Sequence, residues 1–111
     1  MASVDECRQA LQELAARLDR HSEVQGRIDL DRTLACRITD LDTAFHGRIE
    51  GGRLVGLTDG DDPTAKIALS TSSDDLVALV HGQLDMAKAV AARRVSIKAN
   101  PFDLMKLRKM L

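Results

Sequence analysis

Apolar positions first recur at helical spacing. Val4, Cys7, Leu11, Leu14, Ala15 and Leu18 share one face of a 3.6-residue repeat, and Ser3 followed by Glu6 forms a capping-box pattern ahead of them, so a helix is predicted over about 4–20. The polar stretch from His21 to Asp31, with Gly26 inside it, reads as a linker. The period then drops to two: Leu34, Cys36 and Ile38 alternate with Ala35 and Arg37, which marks a half-buried strand near 33–39. Gly51-Gly52 supplies the two positive-φ positions of a type I′ hairpin turn. That turn sets Ile49 opposite Leu54, Gly47 opposite Gly56 and Phe45 near Thr58. Two facing glycines leave a spot without side chains, to be explained by a local bulge or by a ligand.

Asp59-Gly60-Asp61-Asp62-Pro63 is a turn by composition. Ala65, Ile67 and Leu69 alternate in a fourth strand, and Ser73 is placed to cap a short helix with Leu76, Leu79 and Val80 inward and Gly82 at its end. Asp85 caps a second short helix from Met86 to about Ala92, Val95 and Ile97 alternate in a fifth strand, and Asn100-Pro101 opens a last helix over 101–110. The predicted fold is therefore α+β: an N-terminal helix, a three-strand antiparallel meander, a crossover, a strand, two helices, a strand and a C-terminal helix, with one five-stranded sheet covered by helices on one face. At 111 residues it is a single domain, 1–111.

Composition narrows the function. Hydrophobic residues make up 44% of the chain, yet there are two Phe and no Trp or Tyr, so the core is aliphatic and the aromatic platforms that stack nucleic-acid bases are missing. The net charge of −1 lacks the basic excess of a phosphate-backbone binder, and no nucleic-acid partner is expected. Charge is unevenly spread: residues 1–85 carry nine basic and 16 acidic side chains, residues 86–111 seven basic and one acidic. Cys7 and Cys36 lack metal or redox spacing and read as buried small hydrophobes. The longest apolar run, Leu76 to Val80, is far too short for a membrane span, and a cytoplasmic protein is expected.

No catalytic pattern emerges. His21, His46 and His81 each lack a second ligand at metal spacing within their own element, and the Asp59–Asp62 turn lacks the ligand alternation of a calcium loop. No metal, cofactor or enzymatic activity is expected. A hydrolytic reading would need His46 and a carboxylate to converge on a cavity. What the pattern does leave over is apolar helix surface late in the chain. It forms either a tight small core or a pocket, with Leu79, Leu84, Met86 and Val90, then Phe102, Met105 and Met110, as candidate walls.

The element order and several local patterns resemble the sterol carrier protein family. The likeness rests on Ala65-Lys66-Ile67-Ala68-Leu69 ahead of Ser73-Asp74-Asp75-Leu76, on Leu79-Val80-His81-Gly82-Gln83-Leu84, on Val95-Ser96-Ile97, and on Leu104-Met105-Lys106-Leu107. It implies non-catalytic binding and intracellular carriage of a fatty acid, acyl chain or sterol-like lipid in an apolar tunnel. It also implies a head-group or membrane-contact role for Arg93, Arg94 and Lys98, with transient contact to an anionic membrane. The scarcity of aromatics favours flexible acyl chains over a rigid sterol. The chain departs from the family pattern at Val90, Arg93 and Ala99, which keeps a second expectation: an interaction or accessory module whose tunnel is filled.

Overall fold

A computed structural model describes the backbone of residues 1–25 and 29–110 and the side chains of residues 1–21 and 29–107. The first helix, α1 (Val4–Gln25), opens on the capping box: the Glu6 amide donates to Ser3 Oγ at 3.1 Å and the Ser3 amide to Glu6 Oε1 at 3.2 Å. It runs five residues past the predicted end at 20. Apolar periodicity lapses after Leu18, but no helix breaker occurs before Gly26, so the helix continues into the stretch read as a linker. Strands β1 (Arg32–Ile38), β2 (Thr43–Glu50) and β3 (Arg53–Asp59) form the antiparallel meander. Strand β4 (Ile67–Thr71) lies parallel to β1, helices α2 (Ser73–Val80) and α3 (Met86–Ala91) follow, and β5 (Val95–Lys98) returns antiparallel to β4 before α4 (Pro101–Met110). The sheet order is β3-β2-β1-β4-β5, the α+β arrangement expected from the sequence.

Gly51 and Gly52, at φ 59° and 80°, make the hairpin turn, and Ile49 pairs with Leu54 as expected. Beyond Arg48 and Val55 the register slips. A bulge between His46 and Arg48 sets Phe45 opposite Asp59 rather than Thr58. The two glycines are the bulge itself: Gly56 has φ 65°, and a Cβ on Gly47 would stand 2.9 Å from the Val55 carbonyl oxygen. Backbone fills the space beside Gly47.

Two further boundaries move. Strand β4 begins at Ile67, two residues later than the alternation implied, because Asp62 holds the preceding turn by accepting from the Thr64 amide at 3.0 Å and the Thr64 hydroxyl at 2.8 Å. The cap of α2 is Ser72, whose Oγ accepts from the Asp75 amide at 3.2 Å. Ser73 is instead the first helical residue, fully buried, and it donates its amide (2.8 Å) and hydroxyl (2.6 Å) to the Asp40 carboxylate. That pair of bonds ties the end of β1 to the start of α2.

The inward sheet face and the helices form two clusters. Cys7 and Leu11 of α1 meet Cys36, Ile38 and Phe45 of the sheet and Leu76 and Val80 of α2. Further along α1, Leu18 meets Leu30, Ile49, Leu54, Ile67 and, from α4, Leu107. Helix α4 is anchored by Asp103, whose side chain is 6% exposed and whose Oδ2 accepts from Arg32 Nε at 2.9 Å. The opposite sheet face carries Arg37, His46 and Arg48.

Gly47→Ala pushes a Cβ against backbone that cannot yield, and it is expected to cost about 1–3 kcal/mol of unfolding free energy in urea titration; Gly56→Ala, which meets nothing within 4 Å, is expected to cost only about 1–2 kcal/mol from its left-handed conformation. The Ser73 hydroxyl, and after it the Ser73 amide, hold the Asp40 carboxyl below its ordinary value of 3.8. A depressed carboxyl adds stability above the unfolded-state value and loses it as pH falls through the folded-state value. The stability lost in Asp40→Asn is therefore expected to be full at neutral pH, to shrink as pH falls below about 4 and to disappear only below the depressed folded-state value, read as converging thermal midpoints of the two proteins.

Candidate functional site

The two clusters do not close the whole inward face. Between them lies a cavity of about 1000 Å³. Its floor is the sheet, through Leu34 and Cys36 of β1, Ile49, Leu54, Ile67, Leu69, and Ile97 of β5. One wall is α1, where Leu11, Leu14 and Leu18 recur at the spacing that places them on one face. The facing wall is the α2–α3 corner: Leu76, Leu79 and Val80 from α2, then Leu84, Met86 and Val90. Leu104 and Leu107 of α4 complete the lining.

The corner has its local reason in sequence. Gly82, at φ 74°, ends α2, and Asp85 restarts the chain as a helix by accepting from the Lys88 amide at 3.0 Å. Two short helices joined this way bend over the sheet where one straight helix would leave its edge. Among the described residues, polar groups reach the cavity only as Arg17, Gln83, Asp85 and Lys88, all exposed, so the mouth is charged and the interior is aliphatic.

Four of the seven candidate wall residues, Leu79, Leu84, Met86 and Val90, line this cavity. Phe102 and Met105 do not. They are 74% and 61% exposed, because burial of Asp103 against Arg32 turns Leu104 and Leu107 inward and leaves 102 and 105 on the outer face of α4. The side chain of Met110 lies outside the described residues. Nor do the three basic candidates line the cavity. Arg93 stands in the turn after α3 at φ 61°, Arg94 is ion-paired with Asp75, and Lys98 sits opposite Ala68, on the other sheet face from the Ile97–Leu69 pair. The lining residues that pattern reading missed include the floor positions Leu34 and Ile97 and the cations Arg17 and Lys88. Alternation does mark the first two as inward, but it cannot say whether an inward residue meets a helix or a void.

His46 lies on the opposite sheet face, its Nδ1 2.9 Å from the Gly60 carbonyl oxygen, and the reading that needed it at the cavity loses its ground. His81 joins the end of α2 to α1 through Glu13, at 3.2 Å. Among the described residues no group of three or more His, Cys, Asp or Glu is arranged to hold a metal ion, and no helix is long and apolar enough to cross a membrane. A second depression, about 660 Å³, is lined by Asp31, Arg32, Thr33, Arg48, Thr64 and Lys66. Its walls are charged and hydroxylic, so of the two it is the first cavity that can withdraw an apolar ligand from water.

Comparison with known proteins places this geometry. The alkyl sulfatase C-terminal family matches residues 2–111. No curated protein matches the sequence. Among solved structures the chain is similar to the stereoselective inverting sec-alkylsulfatase Pisa1 from Pseudomonas sp., with a TM-score of 0.59 and 21% identity over 73% of this chain; it spans 13% of that enzyme's length. It is also similar to a sterol carrier protein 2-like protein from Aedes aegypti, with a TM-score of 0.73 and 11% identity over 96% of both chains. Sterol carrier protein 2 of the same organism, in complex with palmitate, has a TM-score of 0.64 and 18% identity over 98% of this chain and 94% of that one. The fold is thus that of the sterol carrier proteins, as the sequence pattern implied.

Cys36 offers a probe of the cavity floor. Burial, and secondarily the neighbouring Cys7, pushes its thiol up to about 12, and burial likewise raises Cys7. At pH 8 such a thiol holds roughly a thousandfold less thiolate than a free cysteine. A chromogenic disulfide is expected to leave both thiols unmodified in native buffer and to titrate both in denaturant; rapid native labelling would show that the floor opens to solvent.

Proposed function

We propose that this chain, which belongs to the alkyl sulfatase C-terminal family, reversibly holds the hydrocarbon tail of an amphiphile in the cavity beneath its helices and performs no chemistry on it. The single observation that carries this reading is the aliphatic cavity of about 1000 Å³, at the upper end of the roughly 300–1,000 Å³ typical of small-molecule sites. That size favours an open tunnel over a filled one. The lining is Leu, Ile, Val and Met with no aromatic plate, which suits a flexible chain that packs in many conformations. Burying methylenes drives association at roughly 0.8 kcal/mol each, less the cost of ordering tail and side chains.

Two similar proteins differ in what their names say of them: one is bound to palmitate and the other acts as an alkylsulfatase. Both point to a saturated chain carrying an acidic head, and the proposed ligand class for this chain is the same. The share of the alkylsulfatase that this chain spans favours a second reading compatible with the first, in which the domain is an accessory unit that holds an alkyl tail beside a separate catalytic body. In either setting the domain itself is a binder and not an enzyme.

The test is displacement of a fluorescent fatty acid by a homologous series of alkyl ligands. Affinity is expected to rise by up to about fourfold per added methylene until the cavity is full. Leu34→Trp, which fills the floor, is expected to abolish uptake while keeping a native circular-dichroism spectrum, and Phe102→Ala to leave it unchanged. An affinity independent of chain length, or full uptake by the filled variant, would overturn the reading.

A further inference from the structure

Of the charged groups at the cavity among the described residues, only Arg17 and Lys88 are cations, one on α1 and one on α3, so they stand on opposite walls of the mouth. Neither takes part in an ion pair among the described residues, although most arginines here do. The acid one turn before each of them already has a partner. Glu13, one turn before Arg17 on α1, pairs with His81, and Asp85, one turn before Lys88, caps α3. Three backbone donors at the mouth are committed: the amides of Gly82, Gln83 and Leu84 all donate to carbonyls of α2. An anion arriving there therefore finds two cationic side chains, unpaired among the described residues, above an aliphatic interior.

We infer that Arg17 and Lys88 form a head-group clamp, so that the cavity takes single-chain amphiphiles with an anionic sulfate or carboxylate head and discriminates against neutral ones. This rests on the tail-binding reading and adds a head-group subsite to it. The division of labour follows from the side chains. The planar guanidinium of Arg17 can give two parallel hydrogen bonds to adjacent oxygens of either head, and the Lys88 ammonium adds a mobile point charge from the opposite wall. Both are exposed, so an incoming head loses little of its hydration while the tail is withdrawn from water. Arg17 is notable for its setting as well: it is a cation in the acid-rich part of the chain, and Glu13, one turn before it, is paired with His81.

The experiment measures the binding of decyl sulfate, decanoate and 1-decanol, each below its micelle or solubility limit, to the whole chain by isothermal titration calorimetry. The wild type is expected to bind at least one of the two anions between about 10- and 100-fold tighter than the alcohol; which of the two gains more identifies the head. The double variant R17Q/K88Q is expected to lose that preference while its affinity for 1-decanol stays within about twofold, and retained alcohol binding shows that it is folded. High salt should act on the wild type as the double variant does. Equal affinity of the wild type for alcohol and anions overturns the clamp and leaves the tail site standing. Persistence of the anion preference in R17Q/K88Q also overturns the clamp. No binding of any of the three ligands overturns both readings.

Discussion

A five-stranded sheet with one apolar face must be covered, and the width of that face governs everything above it. Five strands at about 4.8 Å spacing span roughly 19 Å, whereas one helix with its side chains covers about 10–12 Å. A single helix therefore cannot dry the sheet. Here α1 crosses it and contributes to both clusters, packing Cys7 and Leu11 toward α2 at one end and Leu18 toward α4 at the other. The remaining surface falls to α2, α3 and α4, of eight, six and ten residues. Short helices meeting at a capped corner cannot interdigitate with the sheet along their whole length, and the space they leave is the cavity.

Polar contacts decide where those short helices sit. Asp40 grips Ser73 and fixes the start of α2, and the Arg32–Asp103 pair fixes the start of α4 and with it the helix's rotation. One such contact thus selects which of the apolar residues of α4 face inward. The cavity floor is in turn guarded from chemistry. Cys36 is held as a neutral thiol by its burial, and the histidines described lie outside the lining.

Much of the architecture was legible in the chain because its signals are local. Capping residues Ser3, Asp85 and Asn100, the Gly51-Gly52 turn and the two-residue alternations lie within a few residues of the structure they specify, and each element they announced exists. The misplacements share a cause. The end of α1, the start of β4, the cap of α2 and the bulge at Gly47 each depend on a partner distant in sequence or on competition between neighbouring signals. Of the site, the α2–α3 wall was legible, since Leu79, Leu84, Met86 and Val90 belong to one apolar run with one turn. The outward facing of Phe102 and Met105 was not.

By itself, then, the sequence determined the elements, the aliphatic character of the interior and the likeness to a lipid-carrying fold, because periodicity, turn chemistry and composition act over a few residues at a time. Only the tertiary structure decided that the interior contains a void rather than a filled core, and that Arg17 and Lys88, 71 positions apart in the chain, flank its mouth while Arg93, Arg94 and Lys98 do not. The physical reason is that apolar spacing records which face of an element avoids water. It does not record whether the facing element comes close enough to fill the space, which depends on helix lengths, corner geometry and polar anchors acting across the whole chain.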